Sequence, residues 1–220
     1  MSIATEPRVG KNGRPPAQMP EIEVIRLPRR TIDKLLTSFG VVAMVVFALA
    51  GGLLSWGANF ADDYVRDELS AQRIFFPDEQ SLRAEGRDDL VQYAGEQVTT
   101  GPEAEAYASY INGHLEEIAD GKRYAEIDDR GAQAAVEEAI ERGAPEEEVA
   151  ELQARADELK RQRDTLFRGE TLRGLLLSSF AWSTVGRIAG IAAWVAYAGA
   201  AIMAVLVVLG LVHMKRTKDA

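Results

Sequence analysis

The chain has 220 residues and a formal net charge of −9, room for one modest domain beside a pair of membrane spans. It has no cysteine, so disulfides and thiolate metal sites are excluded, and any domain outside the cytoplasm must hold together by packing alone. It has only two histidines, His114 and His213, and no H-E-x-x-H, phosphate-binding loop or dinucleotide fingerprint.

Charge is distributed by segment. Residues 1–34 carry seven Lys or Arg against four Asp or Glu, and residues 213–220 carry three against one. From Asp62 to Arg173 there are 29 acidic and 14 basic residues, a net of −15. Basic residues beside membrane spans are retained in the cytoplasm, so both tails are expected inside and the acidic middle outside. No nucleic-acid partner is expected.

Residues 1–28 hold Pro7, Pro15, Pro16, Pro20 and Pro28. A segment of this kind buries too little apolar surface to order itself, so residues 1–34 read as a disordered basic cytoplasmic tail. Arg26, Arg29, Arg30 and Lys34 form a basic collar that orients the first span. Residues 35–60 read as the first transmembrane helix, with Trp56 near its outer end, where an indole prefers the bilayer interface. Ala48-Leu49-Ala50 resembles a signal-peptidase site. The basic region before it is 34 residues long, and the apolar run continues past it through Leu53, Leu54 and Trp56, so retention is expected.

Residues 61–173 read as an acidic extracytoplasmic helical domain. Helical spacing continues through Phe60, Tyr64 and Leu69, and Phe75-Phe76-Pro77 ends the helix. Ser81 to Val98 reads as a second helix. A third starts after Thr99-Thr100-Gly101-Pro102, with Pro102 and Glu103 suited to its first turn, and stops at Asp120-Gly121. Tyr124 to Arg142 reads as a short helix. Glu146-Glu147-Glu148 opens a long one, whose apolar positions Val149, Leu152, Ala156, Leu159 and Leu166 are interrupted by a polar step at Arg163.

Gly174 to Val212 holds a single charge, Arg187. One helix through all of it would be nearly 60 Å long, about twice the hydrocarbon thickness. Residues 174–186 are therefore expected to lie separately, at the outer interface or against the base of the domain, anchored by Trp182. Residues 187–213 read as the second transmembrane helix, with Arg187 reaching the headgroups, and residues 214–220 as a cytoplasmic tail. The fold class is all-α, two transmembrane helices with an inserted extracytoplasmic domain.

Small residues recur at four-residue spacing. Gly186 and Gly190, then Ala196, Ala200 and Ala204 with Ala193 beside them, mark the second span, and Ala48 and Gly52 the first. Close backbone approach at such residues lets spans associate. Two readings stay open: the spans pack on each other, or a small-residue face docks a partner membrane protein or a second copy. His114 has Glu117 three residues on, a two-ligand set that nothing nearby completes.

Several segments are similar to an uncharacterised family of small actinobacterial two-span membrane proteins. They are Leu69-Ser70-Ala71-Gln72-Arg73-Ile74-Phe75-Phe76-Pro77, Ala106-Tyr107-Ala108 through His114-Leu115, Gly121-Lys122-Arg123-Tyr124-Ala125 and Leu166-Phe167-Arg168-Gly169-Glu170-Thr171-Leu172-Arg173-Gly174-Leu175-Leu176-Leu177. Members carry the label aromatic ring-opening dioxygenase, which implies non-haem iron held by two histidines and a carboxylate. The expected topology puts His114 and His213 on opposite sides of the membrane, where they cannot share a metal. The sequence thus points to an integral membrane accessory or scaffold protein without a cofactor, in contact with lipid and a partner. The alternatives are the iron dioxygenase or an extracytoplasmic sensor.

Overall fold

A computed structural model describes residues 28–216. The proline-rich segment and Arg26 lie outside the described residues, as do residues 217–220. Five α-helices account for most of the fold: α1 (Arg29–Gln72), α2 (Glu79–Ala84), α3 (Gly101–Ile118), α4 (Asp129–Glu141) and α5 (Glu146–Arg216). No strand occurs among the described residues; one isolated antiparallel bridge joins Phe75 to Gln97.

Two of these helices, α1 and α5, are long and apolar enough to cross a membrane. They lie antiparallel and share the most extensive contact in the molecule. At 1.5 Å per residue α1 is about 66 Å long and α5 about 106 Å. The last three turns of α1 and the N-terminal half of α5 enter a helical head formed with α2, α3 and α4.

Several boundaries differ from those the sequence suggested. Arg30 and Lys34 lie on the first turns of α1, and Lys215 and Arg216 on the last turn of α5, so residues 29–34 and 214–216 of the expected tails are helical. Ser81 to Val98 is not one helix. After α2, Gly86 takes a φ of +69°, a 3-10 turn covers Asp88–Tyr93, and the chain then extends to Val98. Tyr124–Glu126 is likewise a 3-10 turn, and α4 starts after the Asp128 cap. Residues 174–186 form no separate piece, because α5 runs through them unbroken, but Leu176 and Leu177 do pack against the head, one of the two placements expected. Leu176 is buried in the head against Val65, Leu69, Phe76 and Val98.

α3 begins as the residues dictate. The Thr100 hydroxyl accepts from the Glu103 amide at 3.4 Å, and the Glu103 carboxylate accepts from the Thr100 amide at 2.9 Å, two donors satisfied reciprocally. Gly101 is buried in contact with Ser183 of α5, so α3 stands directly on the long helix. Farther out, Leu115, Ala119, Ile127 and Leu166 form a second core cluster. The Gln162 side chain donates to the Ile118 carbonyl at 2.8 Å, closing the far end of α3.

The polar step at Arg163 has a structural partner that its own helix does not reveal. Its guanidinium pairs with Asp129 at the start of α4, donates to the Tyr124 hydroxyl at 3.1 Å, and lies 4.7 Å from the Tyr124 ring centroid. This one side chain fastens the 3-10 turn and α4 to α5. Arg163→Ala is expected to lower the midpoint of thermal unfolding by several degrees, because Asp129 loses its counter-charge in a half-buried setting. Arg163→Met combined with Asp129→Asn should lose less than Arg163→Ala alone, since no uncompensated charge remains.

Candidate functional site

The α1–α5 seam is built from small residues meeting across the pair. A Cβ on Gly186 would lie 3.0 Å from Ala61 Cβ, and one on Gly190 3.7 Å from Ala58 Cβ. Further along, a Cβ would lie 2.7 Å from the Tyr197 ring on Gly51, 2.9 Å from Val207 Cγ2 on Gly40, and 2.9 Å from the Thr37 hydroxyl on Gly210. Gly186, Ala193 and Ala196 are buried, and Gly190, Ala200 and Ala204 half-buried. These residues of α5 therefore divide between the seam and its margins.

The pattern in α1 is placed differently. Ala48 and Gly52 are exposed, and nothing comes within 4 Å of a Cβ on Gly52. The seam uses Gly51, one position away, because the large Tyr197 ring of α5 fills the space above it. An Ala58→Cys/Gly190→Cys pair is expected to oxidise to an intramolecular disulfide, since 3.7 Å between Cβ atoms lies in the range such bonds need. Gly52→Cys/Gly190→Cys should keep two free thiols. Titration of free thiols distinguishes the two, and the reverse outcome would place the wrong face of α1 in the seam.

The aromatic markers lie at unequal heights. Trp56 is 69% exposed and stacks on Phe60 at 5.8 Å, which stacks on Tyr64 at 6.1 Å. Arg187 is exposed beside Gly186, level with Ala61, and its guanidinium donates to Thr184 Oγ1 at 3.5 Å. From the rise per residue, Trp56 sits about 7 Å below this level and Trp182 about 7 Å above it, toward the head. The two indoles, both exposed, are thus separated by about 15 Å along the pair.

Trp182 and Tyr64 form the lower end of an open groove between α1 and α5, about 320 Å³ in volume. The groove extends along the helices to Leu172 and Leu175, the latter 64% exposed. Halfway up stand Glu68 on one wall and Ser178 and Ser179 on the other. Ser179 Oγ donates to the Leu175 carbonyl at 3.3 Å. The Glu68 side chain is exposed to water. This groove, lined by apolar and polar side chains alike, was invisible to sequence spacing, because its walls come from helices about a hundred residues apart.

Histidine chemistry takes a different form from a metal centre. His114 packs on the Tyr110 ring at 4.6 Å, and its Nε2 lies 3.9 Å from the Glu85 carboxylate. Burial, and then the Glu85 carboxylate, push the Tyr110 hydroxyl up to about 12. Among the described residues no group of three His, Asp or Glu side chains could hold a metal ion, and His213 lies at the far end of α5 from the head. The donor set does not fit the iron site that the dioxygenase label implies.

No family model, curated protein or solved structure matches the chain.

Proposed function

We propose that the protein is an integral membrane scaffold or accessory subunit, non-enzymatic, that holds its helical head at a fixed height above the outer face of the cell membrane. The observation that carries this reading is the surface of the long pair. Each helix buries one seam and turns the rest of its apolar length outward, with Phe39 71% and Trp194 78% exposed. Such a surface is far larger than the patches water-soluble monomers tolerate, and lipid is the medium that suits it. The loop-charge bias supports both tails inside and residues 61–173 outside.

The unbroken course of α1 and α5 supports a rigid scaffold in particular. No loop separates the proposed spans from the head, so a partner bound to either part is held in register with the other. The test is the size and composition of the native complex extracted in mild detergent. Co-migration with at least one other membrane protein is expected; recovery as a lone chain contradicts the reading.

A further inference from the structure

We propose that the notch between α1, α5 and the start of α3 binds one phospholipid with a phosphoethanolamine headgroup, its phosphate on Arg187 and its primary ammonium on Asp62. The inference rests on the membrane reading above and adds to it a bound lipid of stated headgroup. Three observations lead to it.

Depth comes first. Counting from Leu35, about 20 residues of α1 cross the hydrocarbon core, which puts its outer edge near Trp56. The notch, about 510 Å³ in volume, opens at Ala58 and Gly190 and rises past Gly186 and Arg187 to Ser183. By the rise per residue it starts about 3 Å outside that edge, and Arg187 stands about 7 Å outside it. Its floor therefore lies within the headgroup layer and its charged rim at the outer limit of that layer. At this depth the membrane itself supplies the occupant, because lipid is what surrounds the pair there.

Shape comes second. The floor is recessed, since Ala58, Gly186 and Gly190 bring the helices close and leave no side chain standing above them. The outer end is closed by the first turn of α3, where Gly101 packs on Ser183 and Thr100 and Pro102 line the notch. A small apolar floor under a polar rim matches the boundary between glycerol and headgroup in a phospholipid.

Charge comes third, and it selects the headgroup. Arg187 is the single charge between Gly174 and Val212. Its exposed guanidinium donates to Thr184 Oγ1 at 3.5 Å, longer than an ordinary N–H···O bond, so it is free to turn to a phosphate. Asp62 lines the same notch, and its carboxylate meets Arg66 at 3.9 Å with both side chains more than half exposed, a pairing worth little. A primary ammonium donates to that carboxylate while the phosphate accepts from Arg187. Phosphatidylglycerol brings no cation for Asp62, and the quaternary ammonium of phosphatidylcholine has no proton to donate.

Native mass spectrometry of the full-length protein, stripped of lipid in detergent, tests the site with phosphatidylethanolamine, phosphatidylglycerol and phosphatidylcholine of identical chains. One phosphatidylethanolamine per chain is expected, roughly ten-fold tighter than either other lipid, the size of one charge-assisted hydrogen bond. Arg187→Gln should weaken it roughly ten-fold. Asp62→Asn should keep a bound lipid but lose the preference for phosphatidylethanolamine over phosphatidylcholine. Both substitutions are at exposed positions, and an unchanged midpoint of thermal unfolding confirms the fold. Equal retention of the three lipids overturns the proposal, as does tightest binding of phosphatidylglycerol. A preference that survives Asp62→Asn, or retention indifferent to Arg187→Gln, also overturns it. Displacement of the lipid by free phosphoethanolamine assigns the notch to a soluble ligand and overturns it too. Unselective retention by a chain that needs detergent removes only this site, whereas a chain recovered from the aqueous fraction removes the membrane reading with it.

Discussion

Gly101→Val is expected to destabilise the docked head by about 3 kcal/mol, the upper end of overpacking costs. Gly101 is the first residue of α3, and a Cβ there would stand 2.3 Å from Ser183 Cβ and 2.5 Å from Ser183 Oγ, with the Phe180 backbone at 3.4 Å behind. Neither side has room to yield. α3 is held by the Thr100–Glu103 capping pair, and α5 is fixed by its seam with α1 on both sides of Ser183. The strain must therefore lift α3 off α5. Limited trypsin digestion should then cut the head at exposed sites such as Arg123, while the Ala58→Cys/Gly190→Cys disulfide still forms. Gly101→Ala placed with Ser183→Gly removes the colliding atoms and should recover most of the loss, less the roughly 1 kcal/mol that a mid-helix glycine costs. Unchanged stability of Gly101→Val would mean that α3 does not stand on α5 as described.

Leu166→Ala is expected to cost about 2–5 kcal/mol, the range for emptying a fully enclosed leucine site. Leu166 has no exposed surface and joins α5 to Leu115 of α3, to Ala119 just past its end, and to Ile127. Gly169, one turn on, already accommodates the Leu115 side chain, whose Cδ2 would lie 2.5 Å from a Cβ there. The neighbourhood is interlocked, so it has little freedom to collapse into the vacated volume. Phe167 is next in sequence but more than half exposed, touching the Tyr124 ring at 5.6 Å, and Phe167→Ala should cost about 1 kcal/mol or less. Thermal unfolding of the two variants side by side reads the difference, and equal losses would contradict the assignment of the core.

What could be read from the residues follows the range of the forces involved. The start of α3 was legible because a capping box is complete within Thr100 to Glu103, and its end because Asp120 and Gly121 both take left-handed backbone. The two long apolar runs were legible from composition. Long-range pairings were not: Arg163 stood out as a polar interruption, but Asp129 lies 34 residues earlier on another element. The seam shows the same limit. Spacing of small residues identified Ala48 and Gly52, whereas the face that meets α5 is set by where Tyr197 projects, which selects Gly51. For residues 174–186 only the expected break was wrong: a helix too long for the bilayer need not be interrupted when its excess length packs against a protein head. The groove at Glu68 required both helices to be in place.

Labelling of intact cells with an impermeant thiol reagent tests the central claim most directly, using Gln133→Cys on the head and Thr217→Cys beyond α5, one at a time. The account predicts that the Gln133→Cys thiol reacts in whole cells and the Thr217→Cys thiol only after the membrane is opened. Reaction at Thr217→Cys with protection at Gln133→Cys would invert the orientation, and recovery of the full chain in the aqueous fraction without detergent would remove the membrane altogether.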